Sequence, residues 1–305
     1  MSVQKSSALN VKKKYLSFIK SQEILGEPFY NKIEQLNKFY LPICKYIFES
    51  YKFKKKTMII GLSGGQGTGK TTIGNILKII LKHKYDLRVI NFSIDDFYNT
   101  LKERKIKSKN IHKLFLTRGV PGTHDTNLLK KSFKNFKKKP FKPFFIPKFN
   151  KATDDRCPKN KWNRIIKKPD IILFEGWCVG AKPQKNKNLI KSVNSLENSH
   201  DENLKWRKTV NNELKNSYKS IFKFIEKLIF LKVPNFKYVY KWRLLQEKKL
   251  KLKQKGKKIM SKYEVKNFIM FYERITRQMI KDLNSKANVV ISIDKKHKLK
   301  KLKIN

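Results

Sequence analysis

Cysteine is scarce. Three residues, Cys44, Cys157 and Cys178, stand at no CxxC spacing. That set excludes a disulfide framework or a zinc site as the organising principle and favours a reducing, cytoplasmic compartment. No apolar run reaches membrane-spanning length. The N-terminus has no contiguous apolar stretch and no Arg in its first 56 residues, which argues against a secretory signal or an organelle transit peptide. Acidic residues are few, 23 against 73 basic ones, for a formal net charge of +50. Arginine is nearly missing too: nine of the 73, at 88, 104, 118, 156, 164, 207, 243, 274 and 277. A phosphate-reading surface normally uses guanidinium forks. Abundant Lys and Asn with little Arg is instead what drift toward A/T-rich codons produces. The surplus is therefore read as a solvated surface, with no specific nucleic-acid partner and no membrane partner expected. The competing reading, a nucleic-acid-binding or regulatory protein, predicts tight, steeply salt-dependent binding to DNA or RNA.

Core material is present. The 305 residues include 21 Phe, 12 Tyr and 4 Trp, which makes disorder throughout unattractive. Short, unalternating apolar runs occur at 58–62, 87–92, 171–174, 228–233 and 289–293, separated by helical or loop material. Buried parallel strands covered by helices on both faces read this way, so the class is α/β. Residues 1–56 carry apolar side chains at helical spacing and predict one or two helices packing on the core. Two stretches, 100–168 and 181–216, are too long for plain connections and are expected to be binding segments. Residues 295–305 read as a frayed basic tail.

The run at 58–62 leads into Gly64-Gly65-Gln66-Gly67-Thr68-Gly69-Lys70-Thr71, followed by Thr72 and a helical pattern. This is the phosphate-binding loop G-x-x-x-x-G-K-[ST] in its required strand-to-helix context. Glycines let successive N–H groups converge on an anion, and the helix directs its positive end at the same place. Lys70 would reach the β- and γ-phosphates of ATP, and the Thr71 hydroxyl would ligate Mg²⁺.

Carboxylates at strand ends stand out in so basic a chain. Asp95 and Asp96 follow the second apolar run, and Glu175 follows the third. Ligands of open parallel sheets sit beyond the carboxyl ends of the strands. One carboxylate could take the proton of an attacking hydroxyl and another could hold Mg²⁺; alternatively Asp95 or Asp96 caps a helix.

Ser93-Ile94-Asp95-Asp96-Phe97-Tyr98 resembles the second-strand motif of the small-molecule P-loop kinases related to uridine kinase, phosphoribulokinase and pantothenate kinase. Arg118-Gly119-Val120-Pro121-Gly122-Thr123-His124-Asp125, with Asp155-Arg156 and Glu175-Gly176-Trp177, resembles the D-glycerate 3-kinase family, bacterial-type branch. Asn194-Ser195-Leu196-Glu197, Trp206-Arg207, Val210-Asn211, the string from Val239 to Glu247 and Met260-Ser261 are similar to it as well. The resemblance spans roughly residues 57–294. It implies a three-layer α/β/α P-loop fold with a five-stranded, mainly parallel sheet. It also implies a lid over 237–262 and transfer of the γ-phosphoryl group of MgATP to a hydroxyl of a small acid, D-glycerate. In that scheme Asp95 is the base, Lys70 and Arg243 assist transfer, and Thr71 and Glu175 serve magnesium. The chain departs from the family at Asn150-Lys151-Ala152, at Ala181, and at Asp294-Lys295-Lys296, where a late Asn-Arg pair is missing. A related kinase with another acceptor, such as a nucleoside, is the alternative.

The remaining site candidates are Asp96, Tyr98, Arg118, His124, Asp125, Lys151, Arg156 and Trp177. A carboxylate substrate needs a cationic clamp, for which Arg118 and Arg156, and more weakly Lys151, are available; structural ion pairs are the other reading of both arginines. His124 and Asp125 either orient substrate or stabilise the turn. Trp177 reads as pocket wall. Arg274 and Arg277 read as surface or packing.

Overall fold

In the computed structural model, residues 2–23, 29–253 and 260–305 are described. Strands β1 (Met58–Gly64), β2 (Val89–Ser93), β3 (Ile171–Gly176), β4 (Lys227–Lys232), β5 (Val289–Ile293) and β6 (Leu299–Ile304) form one sheet in the order β6-β5-β4-β1-β3-β2. The first five are mutually parallel, and β6 runs antiparallel to β5. Among the described residues the sheet thus has six strands, one more than expected. The extra strand comes from the segment read as a frayed tail. Its lysines hid the pattern, and Asp294 makes the turn, its Oδ1 accepting from the amides of Lys296 (2.8 Å) and Lys298 (2.9 Å).

The fully buried β1 lies at the centre, as an apolar run covered on both faces must. One face is covered by α1 (Ser2–Gln22), α2 (Leu41–Lys54) and α3 (Lys70–Tyr85), packed through Tyr15, Ile19, Ile43, Ile47, Ile76 and Ile80. The other face is covered by the two long insertions and the C-terminal helix. Phe92, Phe97, Phe133, Phe136 and Phe174 gather there, ring against ring.

The first insertion holds α4 (Leu101–Asn110), α5 (Thr126–Lys137) and two small ribbons, one pairing Phe149–Asn150 with Asp155–Arg156. Arg104, buried in α4, ties it together by donating to the carbonyls of Asn99, Leu116 and Asp154. The second insertion carries α6 (Lys205–Glu213) and is anchored by α8 (Lys262–Lys286), which follows α7 (Phe236–Lys253). Arg274 of α8 is buried against Glu197, 2.6 and 2.7 Å away, and against the carbonyls of Asn188 and Lys191. It is a packing residue, whereas Arg277 sits at the surface beside Glu273. The expected lid is α7 with the start of α8; its stretch 254–259 lies outside the described residues, as do residues 1 and 24–28 of the N-terminal segment. No helix among the described residues is long and apolar enough to cross a membrane.

Candidate active site

The parallel register brings three strand ends level. Glu175 pairs with Leu62 on one side and Ser93 on the other. The loop after β1, the turn after β2 and the end of β3 therefore open onto one place.

The phosphate loop is shaped by Gly67 and Gly69, at φ 76° and 84°. Gly67 is also needed for space: a Cβ there would stand 2.9 Å from the backbone of Trp242 in α7. Helix α7 thus rests directly on the loop. Thr68 Oγ1 donates to Gly65 O at 2.8 Å, closing the turn. Lys70 begins α3 and folds back, its Nζ donating to the carbonyls of Gly64 (2.8 Å) and Gly65 (2.9 Å). Burial lowers the Lys70 pKa, and Glu175 and Asp95 oppose that shift. Thr71 Oγ1 donates to Glu175 Oε1 at 2.8 Å, and Thr72 follows, half-buried. Burial raises the Glu175 pKa against the pull of Lys70 and Thr71. Beside this pair a cavity of about 250 Å³ opens between α3 and β2, lined by Thr71, Asn75, Asn91, Asp96 and Glu175 among others.

Asp95 and Asp96 lie on the helical turn Ile94–Phe97, and the two part ways. Asp96 Oδ2 accepts from the Ser93 amide at 3.2 Å, which is the capping role. Burial raises its pKa. Asp95 Oδ1 accepts from the Tyr98 hydroxyl at 2.9 Å and Oδ2 from Lys151 Nζ at 2.8 Å. Burial alone would raise its pKa, but Lys151, His124 and Tyr98 outweigh it and hold the carboxyl at about 2. Lys151 arrives on the turn of the second ribbon.

Arg156, on the same ribbon, donates to Tyr98 O from Nε (3.2 Å) and Nη2 (2.9 Å), and to Asp125 at 3.2 Å. Asp125 in turn caps α5 through the Leu128 amide at 2.9 Å. Arg118 pairs with Asp154 and lies over the Phe149 ring. Both arginines are thus ion-paired inside the insertion, Arg118 remaining the more open. His124 is buried and stacks on Tyr98 at 4.5 Å. Trp177 Nε1 donates to Gly119 O at 2.8 Å, so its indole supports the turn carrying Arg118. Arg243 of α7 pairs with Glu247 and Gln246 and covers the Phe268 ring. Burial lowers its pKa, and Glu247, Arg118 and Asp95 are all near enough to act on it. Cys178 is buried and its thiol pushed up by burial, so it is no nucleophile.

Sequence reasoning missed three groups. Tyr272 of α8 donates to Arg118 O at 3.3 Å and closes over Gly119, whose φ is 136°. Tyr218 contacts His124, and Glu247 holds Arg243. The tyrosines lie in helices at core-like spacing, which conceals them. Glu247 stood four residues after Arg243, a usable helical pairing signal.

The arrangement offers an anion cradle, an oxygen pair suited to a hard cation, and an ionised carboxylate beside a lysine. The model of the phosphoribulokinase / uridine kinase family matches residues 59–241. An uncharacterized kinase of Schizosaccharomyces pombe, mug58, is 34% identical over 239 residues, 75% of this chain and 83% of that protein. The chloroplastic D-glycerate 3-kinase of Arabidopsis thaliana is 31% identical over 224 residues, 70% of this chain but 46% of that protein. The D-glycerate 3-kinase structure from Cryptococcus neoformans superposes with a TM-score of 0.74 at 20% identity, covering 87% of this chain and 99% of that one. The chain, a P-loop kinase, belongs to the phosphoribulokinase / uridine kinase family.

Proposed function

We propose that the chain transfers the γ-phosphoryl group of MgATP to a hydroxyl of a small acid, D-glycerate, giving 3-phosphoglycerate. The observation that carries this reading is Asp95, ionised and held between Lys151 and Tyr98 at the strand end beside the phosphate loop. A carboxylate flanked by a cation suits an acceptor bearing both a hydroxyl and a carboxylate. The D-glycerate 3-kinase among the relatives supports the choice of acid.

In this scheme residues 64–72 bind the triphosphate. Thr71 and Glu175, oxygen donors 2.8 Å apart, fit Mg²⁺, whose charge would neutralise the phosphates. The acceptor hydroxyl oxygen forms the new P–O bond. The bond from the γ-phosphorus to its bridging oxygen breaks, and its electron pair leaves on ADP. The hydroxyl proton passes to Asp95. Lys151 and Arg118 bind the acceptor's carboxylate, while Arg156 positions Tyr98, which orients Asp95. Arg243 turns from Glu247 toward the transferring group as the lid closes and excludes water.

A coupled ADP-release assay with D-glycerate, uridine, pantothenate and ribulose 5-phosphate tests the reading. Stimulation by glycerate alone is expected. Stimulation by a nucleoside alone points to the related-kinase alternative.

A further inference from the structure

His124 is 4% exposed, and its Nε2 is buried with no hydrogen-bond partner. Its other ring nitrogen is engaged: Nδ1 meets the hydroxyl of Tyr218, at the end of the helical turn Leu214–Tyr218 that closes the second insertion. That hydroxyl is already an acceptor. The Gly122 amide donates to it at 3.1 Å, and the His124 amide stabilises its oxygen too. With an amide donor already on its oxygen, the phenol has its own proton to give, and Nδ1 is the acceptor placed to take it. The neutral imidazole then carries its own proton on Nε2. Burial keeps the ring neutral, lowering its pKa to about 4 even though Asp95 acts to raise it.

The backbones of Tyr98 and His124 pair as an antiparallel bridge, and their rings lie face to face, 23° from parallel. Tyr98 extends from that bridge to Asp95. The imidazole runs alongside it with Nδ1 against the Tyr218 hydroxyl and Nε2 unpartnered. Tyr98 thus links the two, its ring on the imidazole at 4.5 Å and its hydroxyl on Asp95 at 2.9 Å. A buried N–H without an acceptor forfeits its hydration with nothing in return. Such a group calls for an explanation, and a ligand that supplies the missing acceptor is one.

We propose that His124 donates a hydrogen bond from Nε2–H to an oxygen of the phosphoryl acceptor, and that Tyr218 is the positioning residue that fixes this tautomer. The tautomer rests on the contacts of Nδ1 and of the Tyr218 hydroxyl and not on the kinase reading; the ligand's identity rests on the kinase reading above.

Long-range ¹⁵N–¹H spectra of the histidine rings in the full chain at neutral pH test it, with His124 assigned as the set missing from His124→Gln. A protonated Nε2 with an acceptor-type Nδ1 is expected. The Nε2 resonance should move when D-glycerate is added with magnesium and a non-hydrolysable ATP analogue. In Tyr218→Phe the tautomers should mix, and the acceptor KM should rise about tenfold while the KM for ATP changes less than about twofold. A Gln amide nitrogen stands where Nε2 was and an Asn amide nitrogen where Nδ1 was. His124→Asn should therefore raise the acceptor KM more than His124→Gln. An Nδ1–H tautomer, an unmoved Nε2, or equal effects of Asn and Gln would overturn the inference even where glycerate-stimulated ADP release upholds the kinase reading. Absence of acid-stimulated ADP release overturns the kinase reading and the donor role with it, whatever the tautomer.

Discussion

Lys151 Nζ stands 2.8 Å from Asp95 Oδ2, although 56 residues separate them in the chain. The pair sets the ionisation of the carboxylate on which the proposed chemistry turns. Because the Asp95 pKa is held at about 2, the group is fully ionised across the physiological range. Lys151→Met should raise that pKa toward the ordinary carboxylate range. The acid limb of kcat/KM for the acceptor should then move to higher pH, and the profile measured by ADP release reads this shift. The lowered folded-state pKa also contributes stability above the unfolded pKa of about 3.9, and that contribution disappears as pH falls toward 2.

Asp95→Asn keeps the shape and the Tyr98 contact but loses the proton acceptor. Turnover should drop by about 10²–10⁴-fold with little change in the KM for ATP. Steady-state kinetics check this, and near-normal kcat would remove Asp95 from the role of base.

Gly67→Ala strains a left-handed backbone and drives a methyl into the Trp242 backbone, 2.9 Å away. The backbone cost alone is about 1–2 kcal/mol. Helix α7 must also retreat from the loop. Urea unfolding should show the stability loss, and the KM for ATP should rise.

Arg274→Met leaves Glu197, 1% exposed, with Arg207 as its remaining ion-pair partner among the described residues. Burial raises the Glu197 pKa, but Arg274 and Arg207 pull it below the ordinary value, so the wild-type carboxyl is ionised. Breaking such a network costs about 3–5 kcal/mol, measurable by denaturant unfolding. Restored stability at low pH, where Glu197 protonates, would mark the charge as the cause.

Much of the frame was legible in the sequence because it rests on local signals. The buried strands β1 to β5 announce themselves as apolar runs, the phosphate loop as a spaced motif, and Asp95 and Glu175 as carboxylates where apolar runs stop. What stayed hidden depends on distant pairing. Lys151 reaches Asp95 through a ribbon of two-residue strands, too short to leave a periodicity. Arg274 and Arg277 lie one turn apart, yet one is buried and the other exposed, because the second insertion covers only Arg274. Asp95 and Asp96 are neighbours with different tasks, and the position of the Ser93 amide tells the cap from the carboxylate that meets Lys151 and Tyr98.

The sixth strand has a consequence for the company this sheet can keep. Among the described residues β6 is an edge strand of the sheet, and a sheet edge is a template on which another strand can pair. Lys300, Lys301 and Lys303 stand exposed along it. A second copy approaching edge to edge would bring ammonium groups against ammonium groups with few carboxylates to offset them. Strand addition at β6 therefore meets a row of like charge, which opposes the edge-to-edge growth that its backbone alone would permit.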